Sequence, residues 1–201
     1  MPILEVTLLQ LKGVPASDPT LLVTLSNVRG KLQTDSRFYN SIEDPTKIYI
    51  LGIWPSLEAH HQFLNSPARV EVLGPQEGLL EFVWTVHMEM DAMSSLPLDA
   101  PVLAIAGLFI KADSTDAFEQ KVARHRHTIV DATKPYNVVN GWRCDPEPGK
   151  HESLMFTGWA DAQAHAAFIA KAREDRDYAD VRRYYEDMEV RHARNLEAKD
   201  S

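Results

Sequence analysis

A single cysteine, Cys144, among 201 residues excludes an intrachain disulfide and a cysteine-rich zinc site. No apolar run approaches the ~20 residues needed to span a bilayer. The segment from Met1 to Glu5 lacks the basic start and long apolar stretch of a secretory signal, so a cytoplasmic location is the default expectation. Positive charge is scarce. Against 29 Asp and Glu there are 21 Lys and Arg, for a net charge of −8. Nucleic-acid binding usually requires a basic face, so no such partner is expected. The arginines between Arg173 and Arg194 alternate with acidic residues and read as a solvated mixed-charge surface. No Gly-x-Gly-x-x-Gly, Walker, Gly-x-Ser-x-Gly or Cys-x-x-Cys sequence occurs, so nucleotide-phosphate binding and Ser or Cys hydrolase chemistry lack support. What remains is an ordinary globular composition, 44% apolar and 25% charged.

Within that composition lies an internal repeat, which is the first feature to seek in such a chain. Trp54, Ala59, His60 and Phe63 return as Trp159, Ala164, His165 and Phe168, each displaced by 105 positions. The same displacement carries His87 to His192. Earlier in each half the displacement is 97: Tyr39-Asn40 returns as Tyr136-Asn137, and Leu21, Leu25, Val28 and Leu32 as Phe118, Val122, His125 and Ile129. The difference is one eight-residue insertion. It falls in the Pro- and Gly-containing stretch from Cys144 to Lys150, which reads as a lengthened hairpin loop.

Each half has one order of elements. Ile3–Lys12 reads as a strand. Asp18-Pro19 opens a helix whose inner face is Leu21, Leu25, Val28 and Leu32. Phe38–Ile42 and Lys47–Trp54 form a hairpin around Asp44-Pro45. A short helix spans Ser56 to about Asn65, and Leu79–Met90 is a long strand. The second half repeats this with a strand at Val102–Lys111, a helix capped by Asp113, hairpin strands at Tyr136–Cys144 and Glu152–Trp159, and helical structure from Asp161. A last strand follows at Met188–Arg194. The pattern is βαββαβ, a ferredoxin-like unit. The expected organisation is α+β, with repeats at residues 1–91 and 102–201 and a linker at residues 92–101. One such unit leaves a sheet face uncovered, and two fused units can cover each other's as an intrachain barrel.

The stretch Gly52-Ile53-Trp54-Pro55-Ser56, continuing through Ala59, His60 and Phe63 to Ser66-Pro67, resembles the dimeric α+β barrel superfamily. It looks most like the antibiotic-biosynthesis-monooxygenase branch, in the tandem two-repeat form of fungal proteins. Gly158 through Phe168 repeats the motif less completely. The resemblance implies a pocket between sheet and helices in each half. It also implies an enzyme that oxygenates, cyclises or degrades a small aromatic molecule of secondary metabolism, often with neither metal nor flavin; some relatives bind haem. Many relatives carry a histidine one turn later in the short helix and another after Ser-Pro. Here Phe63, Ala68, Arg69 and Phe168 stand in those places, so those roles do not transfer.

Candidate chemistry rests on histidines that face inward. His60 and His165 lie on the apolar sides of their short helices. His192 shares a strand face with Met188 and Val190, and His87 is expected with Val83 and Thr85. His125 falls in the inward stripe where the first half has Val28. His125, His192 and His165 are therefore the candidate catalytic set, one of them serving as a base near neutral pH toward a phenol or enol. His60 and His87 join Tyr136, Trp142, Phe118, Phe109 and Trp84 as candidate substrate contacts. In the structural alternative, His60 and His165 simply pin helix to sheet. A hydroxyl of Tyr178, Tyr184 or Tyr185 could donate to a developing oxyanion, but the three read first as surface packing. No metal site is expected, since no carboxylate clearly shares the histidines' face. The expected activity is a cofactor-independent oxygenase for an aromatic, polyketide-like substrate. The alternatives are a cyclase or isomerase using the same base, or a protein that only binds a small molecule or haem. A homodimer is possible.

Overall fold

A computed structural model describes residues 1–198. Two compact units emerge: Met1–Met93 together with the chain from Ala193 onward, and Ser94–His192. Eight strands and six α-helices build them, and every strand pairing described is antiparallel.

Unit 1 runs β1 (Ile3–Leu11), α1 (Pro19–Leu32), β2 (Arg37–Ser41), β3 (Lys47–Trp54), α2 (Leu57–Leu64), α3 (Ala68–Glu77) and β4 (Leu80–Glu89). Its strand order is β4-β1-β3-β2. Asp18 caps α1 by accepting from the Thr20 amide, with Pro19 in the first turn, where its missing N–H costs nothing. Ser56 caps α2 by accepting from the Ala59 amide. Helix α3 was not expected, and it forms with both Gly74 and Pro75 inside it. Leu21, Leu25, Phe38, Ile48 and Leu80 form the core beside β1. Each such side chain, fully buried, contributes about 1.5–3 kcal/mol.

Unit 2 runs β5 (Val102–Ile110), α4 (Thr115–Thr133), β6 (Val138–Trp142), β7 (His151–Trp159), α5 (Ala162–Ala172), α6 (Arg176–Ala179), a 3-10 turn (Asp180–Tyr184) and β8 (Tyr185–Asn195). Its order is β8-β5-β7-β6. From Ala193 onward β8 belongs to unit 1, where Ala193, Arg194 and Asn195 pair with Ser41, Asn40 and Tyr39 of β2. Ser114, not Asp113, is the N-cap of α4, and its side chain makes no capping hydrogen bond. The stretch expected as a linker is buried at Met93, Leu96 and Ala100.

One local irregularity matters for the faces. The β1–β4 register pairs Leu8 with Trp84 and then Leu9 with Phe82, skipping Val83. This bulge reverses the alternation of side chains N-terminal to it.

Candidate functional site

In unit 2, Trp159 ends β7 and Asp161 caps α5 by accepting from the Ala164 amide. This tight entry places His165 one turn into the helix, over the end of the sheet. Its ring stacks on the Trp159 indole, centroids 4.6 Å apart and planes 15° apart. Nδ1 of His165 lies 2.8 Å from Nε2 of His192 on β8, so the two imidazoles share one proton. Burial, and then the neighbouring His192, lower the His165 pKa to about 4. The ring is therefore neutral at pH 7.

Both rings border a cavity of about 470 Å³ between the sheet and helices α4 and α5. Ala104, Leu108, Phe118, Met155 and Val190 give it apolar walls. His125 enters from α4, where the matching cavity of unit 1 has Val28. Its Nε2 is 2.9 Å from Asp177 Oδ2 without an aligned hydrogen bond, so the contact depends on charge. A hydrogen bond from Lys121 holds the Asp177 carboxyl below the usual range, and the charges of Arg124, Lys121 and His125 add to it. Tyr178 packs edge-on to both His125 and Phe168. Burial raises its phenol pKa, so the hydroxyl stays protonated and able to donate.

Unit 1 repeats the core of this arrangement. Trp54 stacks on His60 at 4.5 Å, and Nδ1 of His60 lies 2.8 Å from Nε2 of His87. Here a carboxyl group joins the set. Trp54 Nε1 donates to Glu5 Oε2 at 2.5 Å, the Thr7 hydroxyl donates to Glu5 Oε1, and His60 Nε2 stands 3.7 Å from Oε2. Glu5, Thr7, Trp54 and His60 border a cavity of about 360 Å³.

The sequence-derived candidates divide cleanly. His125, His165, His192 and Phe118 line the unit-2 cavity, and His60 lines that of unit 1. His87 lies behind His60, outside the cavity lining and only 1% exposed. Four aromatic candidates line neither of these two cavities. Phe109 alternates away from Ala104, Ala106 and Leu108 and faces Glu152 across the ladder. The Trp84 ring meets Tyr49, and the bulge gives Phe82 the cavity position instead. Tyr136 abuts Gly158, and Trp142 packs outside Phe118 while donating to Glu119. Val83, expected beside His87, is the bulged residue and is exposed. Glu5 lines a cavity without having been singled out as a candidate, and Tyr178 and Tyr185, expected at the surface, line that of unit 2. The carboxyl of Glu5 on a cavity-facing strand position was the available signal. Among the described residues no three His, Cys, Asp or Glu side chains converge to hold a metal ion. Among the described residues no helix is long and apolar enough to cross a membrane.

No protein-family model and no curated protein matches the chain. Solved structures do match it in fold. A protein assigned as a monooxygenase from Lactobacillus acidophilus is 9% identical, with 97% of this chain and 94% of that one covered and a TM-score of 0.59. An anthrone oxidase-like protein is 11% identical over 96% and 91% of the two chains, with a TM-score of 0.66. A chlorite dismutase from Candidatus Nitrospira defluvii is 10% identical over 97% and 92%, with a TM-score of 0.61. At such low identity the likeness is one of fold, a mixed α+β fold shared with neighbours that are dimeric α+β barrel proteins.

Proposed function

We propose that the chain is an oxygenase for a small aromatic, phenolic or polyketide-like metabolite, working in the unit-2 cavity without a bound cofactor. In this reading the chain is a tandem of two ferredoxin-like βαββαβ repeats of the antibiotic-biosynthesis-monooxygenase type, active alone or as a homodimer. The observation that carries the activity is the neutral His165 imidazole, hydrogen-bonded to His192 and bordering an apolar cavity. With the shared proton on His165 Nδ1, His165 Nε2 is the nitrogen left to take a proton from a phenol or enol. His192 then accepts the hydrogen bond that steadies the new imidazolium, the orienting role a third group plays in hydrolase triads. The substrate anion and the imidazolium form together where the dielectric is low, and each stabilises the other. The Tyr178 hydroxyl supplies a donor for the developing oxyanion. The electron-rich ring then reacts with O2. One oxygen atom enters a ring methylene as a ketone, and the other leaves as water with its two hydrogens.

O2 uptake with anthrone as the probe substrate tests this. His165→Ala should lower kcat at least 100-fold, within the range of a general base. Turnover that continues unchanged without O2 would leave a cyclase or isomerase using the same base. Haem binding has one favouring observation. His165 is a cavity imidazole whose Nδ1 is already held, and Arg126, Arg173 and Arg182 border the same space with charges suited to haem carboxylates. Haem there would supply iron-based O2 activation. A Soret band on haem addition, lost in His165→Ala, would displace the cofactor-independent reading.

A further inference from the structure

The unit-1 cavity has no part in that reaction, and its polar groups follow a different logic. A hydroxyl has one hydrogen to give. That of Thr7 goes to Glu5 Oε1, so in the 2.8 Å contact between Thr7 and Thr85 the donor is Thr85. Thr85 therefore meets the cavity as an acceptor. Each oxygen of the Glu5 carboxyl can accept twice. Thr7 takes one place on Oε1 and Trp54 one on Oε2, and His60 Nε2 at 3.7 Å is beyond hydrogen-bond reach. Independently, Oε1 of Gln76 on α3 is buried at the cavity wall with no partner.

Each basic group on the lining has a partner on the protein. Arg29 is paired with Glu197, Arg69 donates to Glu77, and Lys12 donates to the Glu77 carbonyl. The Thr34–Ser36 pair, 2.6 Å apart, spends one of its two hydrogens internally. On the floor formed by Glu5, Thr7 and Thr85, acceptors thus outnumber donors, in a cavity otherwise walled by Leu25, Val28, Phe38 and Leu73. Strand register shows that unit 2 lacks this acceptor floor. Glu5 pairs with Gly52 and Ala104 with Thr157, which the repeat relates, so Ala104 takes the place of Glu5. Ala106 and Val190 likewise take the places of Thr7 and Thr85.

We propose that the unit-1 cavity is a second ligand site, selective for an apolar-bodied molecule bearing at least two hydrogen-bond donors, such as a dihydroxy aromatic, and closed to carboxylates. This claim does not rest on the unit-2 chemistry. A carboxylate ligand would meet Glu5 and Gln76 acceptor to acceptor, which excludes it through repulsion and unpaired buried polar atoms.

The chain holds four tryptophans, and 5-fluorotryptophan labelling of the whole protein gives each its own 19F NMR signal. Trp54 reports on the unit-1 cavity, and Trp159, stacked on His165, on unit 2. Titration with naphthalene-2,7-diol should shift the Trp54 signal, and 2-naphthoate at the same concentrations should leave it in place. Glu5→Gln should weaken the Kd read at Trp54 at least tenfold. A Trp54 signal that responds equally to both probes, or not to the diol, overturns the proposal. So does an unchanged Kd in a folded Glu5→Gln protein. Should Glu5→Gln lose the dispersed spectrum of a folded chain, Gln76→Leu decides instead. There a Kd weakened at least threefold supports the site, and an unchanged one removes it.

Discussion

Trp54 and Trp159 hold matching positions on β3 and β7, yet their indoles donate to chemically different acceptors. Trp54 reaches the Glu5 carboxyl across the ladder, and Trp159 reaches the Thr157 hydroxyl on its own strand at 2.7 Å. Both indoles are buried, so each acceptor satisfies a donor that water cannot reach. Thr157→Val keeps the shape and removes the acceptor. It should cost about 1–3 kcal/mol in urea unfolding. In a Trp159→Phe background the same change should cost clearly less, because no donor is left stranded.

Acid should destabilise the fold through His165. An unfolded histidine titrates near 6.5, whereas His165 in the folded chain titrates at about 4. Between those values the unfolded chain takes up a proton that the folded one refuses. Stability from this group is complete above about pH 6.5 and is lost as pH falls toward 4. The slope is bounded by about 1.4 kcal/mol per pH unit, and is smaller because the ring borders a cavity. Urea midpoints measured from pH 4 to 7.5 should show this slope, and His165→Gln should flatten it.

Two glycines should respond to alanine with opposite signs. A Cβ at Gly158 would stand 2.6 Å from Cβ of Tyr136, 2.7 Å from that of Ala100 and 2.9 Å from that of Pro97. None of those atoms can swing aside, so Gly158→Ala should cost about 1–3 kcal/mol or more. Gly30 lies within α1 with open space where its Cβ would be. There alanine should add about 0.5–1 kcal/mol. Thermal unfolding of the two variants checks both signs.

The repeat and the histidine pairs show how far local pattern reaches. His165 and His192 were legible as inward because helix and strand periodicities are local, and the structure puts both on one cavity. Their direct contact was not legible, since it depends on how closely α5 approaches β8. Four of the aromatic candidates lie off the two cavities for a different reason. Phe109 and Trp84 have suitable chemistry but the wrong parity on their strands, and on β4 the bulge at Val83 changes parity partway along. Glu5 was visible as a polar residue in an apolar strand, but its significance depended on Trp54 and Thr7 converging on it. Tyr178 read as surface because charged residues surround it, whereas α6 turns it toward His125.

The division of β8 sets an order of assembly. Unit 1 consists of the first 93 residues and those from Ala193 onward, so a growing chain makes all of unit 2 before unit 1 is whole. Until then β2 lacks the strand that pairs with Tyr39, Asn40 and Ser41, and Arg29 lacks Glu197. An open strand edge is a template for unwanted pairing. The nascent chain therefore carries that edge exposed until β8, made after the other seven described strands, emerges to cover it.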